Sequence, residues 1–216
     1  MTYPTPMRGG RAALIRRYSD EKYAKSKGQL FLLYSPTIND DVLLIGDAEF
    51  VLWMIAVEMD PRVKAIDYRP EPPGMEKSAE HATFVLTLSE GFPAEVHYIS
   101  DTLERSDVQS SFADDYSIVI HRKKDLRKHV PLIQRYHQLT CFAAAIRDYA
   151  CAAEQNALLH EIAQRERGSI SDLATALPNI EQPILFGIVS RLVANGTIII
   201  DLTLESFSLR TMWTKR

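Results

Sequence analysis

The chain of 216 residues is short of cysteine, of unbroken apolar runs and of any dominant charge. Its two cysteines, Cys141 and Cys151, are too few for a zinc ribbon. On one helix, ten residues apart, they would be separated by a rotation of about 1000° and a rise of about 15 Å, which argues against a disulfide. The expectation is two buried, reduced thiols in a cytoplasmic protein. No stretch reaches the roughly 18 consecutive apolar residues of a membrane span, and the polar start MTYPTPMRGGRAALIRRY has no signal-peptide apolar core, so no membrane partner is expected. Lys and Arg number 25 against 28 Asp and Glu, so a polyanionic partner would have to meet a local basic patch. Walker-type and GxGxxG loops are missing, and no Ser, His and Asp follow a spacing that suggests nucleophilic catalysis.

What is there divides by character. Residues 1–28 form a basic arm with Arg8, Arg11, Arg16, Arg17, Lys22, Lys25 and Lys27 against Asp20 and Glu21, expected to be partly flexible or laid on a partner. Residues 29–140 read as one α/β domain. QLFLLYS is a strand, VLLIG a strand or a helix lead-in, and Asp47 stands as N-cap of an apolar helix that Asp60-Pro61 stops. RVKAIDYRP alternates as a strand, with Val63, Ala65 and Asp67 on one side and Lys64, Ile66 and Tyr68 on the other. TFVLTL and AEVHYI are joined through Ser89-Glu90-Gly91 as a hairpin. A helical stretch containing Val108 to Phe112 and a strand YSIVIH follow, then the most basic run of the chain, RKKDLRKH.

Residues 141–216 read as a winged-helix-like domain. A long Ala-rich helix over 139–165 leads to a short helix capped by Ser171 and ended by Pro178. A third helix has Pro183 in its first turn and Gly196 just past its end, and TIIIDL with SFSLRTMW forms a two-stranded wing. The third helix places Ile184, Ile188 and Leu192 in the core and offers Glu181, Gln182, Ser190, Arg191 and Asn195 elsewhere. That is too little positive charge for a helix that reads the major groove, and it favours a protein-binding role or weak backbone contact.

Chemistry concentrates on the hairpin. Metal-dependent phosphodiester cleavage needs oxygen ligands for a hard divalent cation and a nearby cationic side chain. Residues i and i+2 of a strand point the same way, so carboxylate-x-Lys is the natural form of such a site. The chain offers Glu49 at the start of the apolar helix, Thr83 on the first hairpin strand, and Glu95 with His97 on the second. His121, Arg122, Lys123, Lys124, Arg127 and Lys128 could grip phosphates without sequence choice.

Three segments, GDAEFVLWMIAVEMDPRVKAIDYRP, HATFVLTLSEGFPAEVHYI and DDYSIVIHRKKDLRKH, resemble the TnsA-like endonuclease subunits of heteromeric transposases, over about residues 30–210. The resemblance implies a restriction-endonuclease-like N-terminal domain, a central mixed sheet flanked by helices, followed by the winged-helix-like domain. It matches Glu49 to the family's helix carboxylate, Thr83 to its strand Asp, Glu95 to the Gln or Glu of the next strand, and His97 to its Lys. Two of these four depart from the pattern. Thr is a neutral, poor ligand, and His is mostly uncharged at neutral pH. Glu49, Glu95 and His97 remain as metal ligands, for Mg²⁺ or Mn²⁺ if the site is active. The resemblance further implies DNA as a partner, held by Arg16, Arg17 and the 122–128 run, together with a transposase and an ATPase regulator. The expectation is a transposon endonuclease subunit with cleavage weakened or lost; the alternative is a non-catalytic DNA-binding or assembly protein that keeps the nuclease fold.

Overall fold

The computed structural model describes residues 29–69, 83–108 and 116–216. Arg16 and Arg17, with the rest of the basic arm, lie outside the described residues, as do 109–112 of the helical stretch expected around Val108. The architecture is mixed α/β, with a central mixed sheet flanked by helices, and the chain divides into two compact units. The first comprises residues 1–54 and 62–130, the second 55–61 and 131–216.

The first unit opens with a hairpin of β1 (Gln29–Ser35) and β2 (Asp40–Gly46), so VLLIG is strand. Asn39 turns the corner in the left-handed region at φ 57°, a conformation Asn tolerates better than most residues. Its amide donates to the Ser35 carbonyl at 2.8 Å, and its side-chain oxygen accepts from the Tyr34 hydroxyl at 2.7 Å. Helix α1 (Ala48–Glu58) follows, ending just before Asp60-Pro61 as expected.

The main sheet has four strands in the order β3 (Val63–Arg69), β4 (Thr83–Leu88), β5 (Ala94–Ile99), β6 (Tyr116–His121). The first three run antiparallel and β6 lies parallel to β5, beyond the short helix α2 (Arg105–Val108). The β4–β5 turn relies on Gly91 at φ +89°, where a side chain would be strained. In β3 a register shift between Val63 and Ala65 breaks the expected alternation: Val63 and Ile66 are both buried, Lys64 and Ala65 both exposed. One extra residue in the ladder changes the phase of the strand.

Register sorts the sheet into two faces. Val85, Val96, Tyr98, Ile118 and Ile120 pack with Leu103 and Val108 into an apolar cluster. The other phase carries Phe84 opposite His97 and Leu86 opposite Glu95, with His121 beside Ile99 on the parallel neighbour.

The second unit buries a continuous apolar cluster that includes Leu158, Leu185, Ile188 and Trp213. The single long helix expected over 139–165 is two helices, α4 (Val130–Ala145) and α5 (Ala152–Ala163), with α3 (Lys123–Lys128) preceding them in the first unit. The break at 146–151 lets Ile146 and Cys151 both enter the core. Cys141 is exposed, contrary to the expectation of two buried thiols, and both cysteines are free.

Helix α6 (Ile170–Ala176) is capped by Ser169 rather than Ser171. Ser169 accepts from the Asp172 amide at 3.1 Å and Asp172 accepts from the Ser169 amide at 2.8 Å, a reciprocal box that Ser171 has no acid in place to form. Helix α7 (Gln182–Ala194) has proline in its first turn and ends before Gly196 at φ +75°, as expected. Ser190, expected at a non-core position, is fully buried and bonds back to the Phe186 carbonyl at 2.8 Å. The sheet expected as a two-stranded wing has three strands: β7 (Arg167–Ser169) joins β8 (Ile198–Ile200) through β9 (Met212–Lys215). Among the described residues no helix is long and apolar enough to cross a membrane.

Candidate functional site

Helix α1 presents Glu49 and, one turn later, Trp53 along the same side, since residues four apart are neighbours on a helix. Both are buried. The Trp53 indole stacks on Phe84 of β4 with centroids 4.0 Å apart, which fixes the helix against the hairpin face that carries Glu95 and His97.

The Trp53 indole Nε1–H donates to His97 Nδ1 at 3.2 Å. Indole nitrogen is only a donor, so His97 Nδ1 has to be the bare nitrogen of a neutral ring. The proton of that ring then sits on Nε2 and is donated to Glu95 Oε2 at 2.8 Å. The same Nδ1 lies 2.9 Å from His121 Nε2. By the same logic His121 Nε2 carries the hydrogen of that contact. The sequence pair Glu95-x-His97 is thus part of a chain, Glu95, His97, His121 and Trp53, in which each donor meets an acceptor. Burial, and then the neighbouring His97 ring, lower the His121 pKa from 6.5 to about 4 against the upward pull of Glu95, so His121 is neutral at pH 7.

The basic run meets carboxylates. Arg127 donates through Nε to Glu49 Oε1 at 2.5 Å, and its Nη2 also contacts that oxygen. Lys123 Nζ lies 2.6 Å from Asp47, and the Lys123 backbone amide donates to Asp101 at 2.9 Å. The hydrogen bond to Asp47, with the charges of Asp47, Glu49 and Asp101, raises the Lys123 pKa against the opposing effect of burial. Arg122 donates to the carbonyls of Ser100 and Leu103 and to Glu104. Lys128 pairs with Asp125 at 2.6 Å. Of the five cations at 122, 123, 124, 127 and 128, only the exposed Lys124 has no carboxylate at hydrogen-bonding distance among the described residues.

The four residues expected to carry cleavage therefore have different fates. Glu95 and His97 meet directly. Glu49 lies one turn from the tryptophan that touches His97 but is engaged by Arg127. Thr83 is paired by backbone register with Tyr98, whereas the positions in phase with Glu95 and His97 are Phe84 and Leu86. As arranged, the side chains of Glu49, Glu95 and His97 do not fit a divalent ion. Both nitrogens of His97 are taken up in hydrogen bonds, Glu49 is neutralised by a guanidinium, and no three His, Cys, Asp or Glu residues gather in a metal-holding group among the described residues.

Sequence reasoning missed Trp53, and it took His121 for a phosphate-gripping member of the basic run. Alternation along YSIVIH puts Ser117, Val119 and His121 in one phase, but only the parallel β5–β6 register brings His121 to His97. Comparisons with protein-family models, curated proteins and solved structures give no match.

Proposed function

We propose that this chain is a nuclease-fold subunit of a transposition machine, similar to the TnsA-like endonuclease subunits, that binds DNA ends and has lost cleavage. The order helix, three antiparallel strands, short helix and parallel fourth strand, with Glu49 at the head of the helix and Glu95-x-His97 on the third strand, supports descent from a restriction-endonuclease-like domain. Three helices and a three-stranded wing support a winged-helix-like second unit. In this reading the second unit docks in the cytoplasm to a transposase or its ATPase regulator, and DNA is held by the basic arm and the 122–128 run.

One observation carries the loss of cleavage: where a nuclease needs carboxylate-x-Lys open to metal and phosphate, Glu95 and His97 bond to each other and His97 also to Trp53 and His121. His97 supplies neither a ligand nor a fixed positive charge there. The test incubates the protein with supercoiled DNA and Mn²⁺ beside a Glu49→Ala control. No nicking above the control is expected, together with DNA binding that weakens linearly in log–log terms with salt. Nicking that Glu49→Ala abolishes would overturn the loss of cleavage. Absent or salt-insensitive binding would overturn the DNA reading.

A further inference from the structure

The cations meant for phosphate are already spoken for within the first unit. Lys123 and Arg127 stand four apart on α3 and share a side of it, and the carboxylates of Asp47 and Glu49 meet that side from the head of α1. Asp101 holds the first amide of the same helix. Carboxylate and phosphate present like oxygens to Arg and Lys, and Arg engages both through the same fork of N–H groups. Glu49 is not a screened surface partner: its side chain is 8% exposed, whereas that of Arg127 is 66% exposed. Moving Arg127 to an outside anion leaves a buried carboxylate without its counter-charge, which opposes the exchange. Asp47 is 56% exposed and holds Lys123 less dearly.

We propose that Asp47, Glu49 and Asp101 act as an internal phosphate mimic that holds α3 in cis, so that DNA gains Lys123 and Arg127 only by displacing these carboxylates. This rests on the reading of the 122–128 run as a DNA contact and adds its regulation. The chain engages DNA weakly through the basic arm and Lys124 and firmly only where a high local density of phosphate, or a partner, frees α3. Glu49, which the resemblance matches to a metal-binding carboxylate, serves here with Asp47 and Asp101 as a brake on binding.

The test measures fluorescence anisotropy of a labelled duplex of about 20 base pairs between about 50 and 200 mM salt, with the full chain, spanning the range over which phosphate contacts declare themselves. Neutralising both carboxylates, Asp47→Asn with Glu49→Gln, is expected to tighten binding roughly tenfold and to steepen the log–log salt slope by about 2, one increment for each freed cation. Asp47→Asn alone alters an exposed side chain and is expected to give about a threefold gain and about half the added slope. It decides the matter if thermal melting shows the double variant unfolded. Glu90→Gln, at the exposed hairpin turn, changes net charge without touching α3 and is expected to leave binding unchanged. Wild-type affinity in the double variant, with DNA still bound, overturns the brake and leaves the DNA reading standing. An equal gain from Glu90→Gln also overturns it, because net charge alone then accounts for the effect. If neither wild type nor variant binds DNA, both readings fall.

Discussion

The buried hydroxyls of the second unit and the buried polar cluster of the first are satisfied over very different distances along the chain. In the second unit, Ser190 and Thr140 bond back to carbonyls four and three residues earlier, and Thr211 accepts from the amide of Ser208. Glu58 aside, these are hydroxyls absorbed by their own helix or turn around an apolar core. Buried Ser35 and Ser100 of the first unit also bond locally, but its polar cluster is tied together by contacts far apart in sequence: Trp53 and His97 are 44 residues apart, His97 and His121 24, Glu49 and Arg127 78. A local hydroxyl bond accompanies packing and asks little of the fold. A long-range buried polar contact requires several elements to hold their register at once, and burying such groups is costly unless every member is satisfied. The second unit thus absorbs its buried hydroxyls locally around a packed core, while the first keeps a specified polar cluster between α1 and the sheet.

The contrast predicts where damage should be felt. Trp213 is fully buried, and its Nε1–H donates to the Ser169 carbonyl at 3.2 Å. Trp213→Ala removes the largest side chain of the second core and should cost about 3–5 kcal/mol. Peptide-resolved hydrogen exchange should show protection lost in α5, α6 and α7 and retained in β4 and β5. Equal loss in both sets would break the division into two packing units.

Acid should act on the first unit instead. His121 in the fold titrates at about 4, against 6.5 in an unfolded chain. As pH falls the unfolded state takes up the proton first, so the contribution of His121 is whole above pH 6.5 and is lost on the way down to pH 4. At about 1.4 kcal/mol per pH unit, the gap amounts to on the order of 3 kcal/mol. Urea unfolding of the first unit should therefore weaken between pH 7 and 4.5, and His121→Gln should flatten that dependence. An unchanged slope in the variant would mean that another group carries it.

What could be read from sequence, and what could not, follows the same divide between local and long-range order. Where periodicity coincided with a local stop, elements fell close to expectation: α1 before Asp60-Pro61, the β4–β5 hairpin around Gly91, and α7 between Pro183 and Gly196. The break between α4 and α5 escaped because Arg147-Asp148-Tyr149-Ala150 contains no glycine or proline; tertiary burial of Ile146 and Cys151 imposes it. The third strand of that sheet, β7 (Arg167–Ser169), is too short to show periodicity. At the site, Glu95 with His97 was legible because strand alternation is local. His121 and Arg127 were not, since their roles depend on a parallel register and on a contact spanning 78 residues.

A smaller effect tests the polar cluster without emptying its core. Trp53→Phe keeps an aromatic ring against Phe84 but removes the indole donor to His97. His97 Nδ1 retains His121 as a partner, so the loss should stay near 1 kcal/mol, the value of one buried hydrogen bond. Combined with His121→Leu, whose side chain has no donor, the cost should exceed the sum of the two single changes, because Nδ1 then loses both donors. Additive costs would show that Trp53 serves packing alone.

The smallest change belongs to the second unit and probes its local economy. Ser169→Ala deletes the side chain that accepts from the Asp172 amide, while the Ser169 carbonyl remains to accept from Trp213. Half of the reciprocal box disappears, and α6 loses its N-terminal partner at a cost of about 1 kcal/mol. The neighbouring Ser171 cannot take over, because three residues beyond it stands Ala174 rather than an acid. Exchange should therefore speed up in the first turn of α6, with α7 and the buried face around Trp213 unchanged. If protection fell throughout the second unit instead, its polar groups would be as cooperative as those of the first, and the distinction between local absorption and long-range specification would fail.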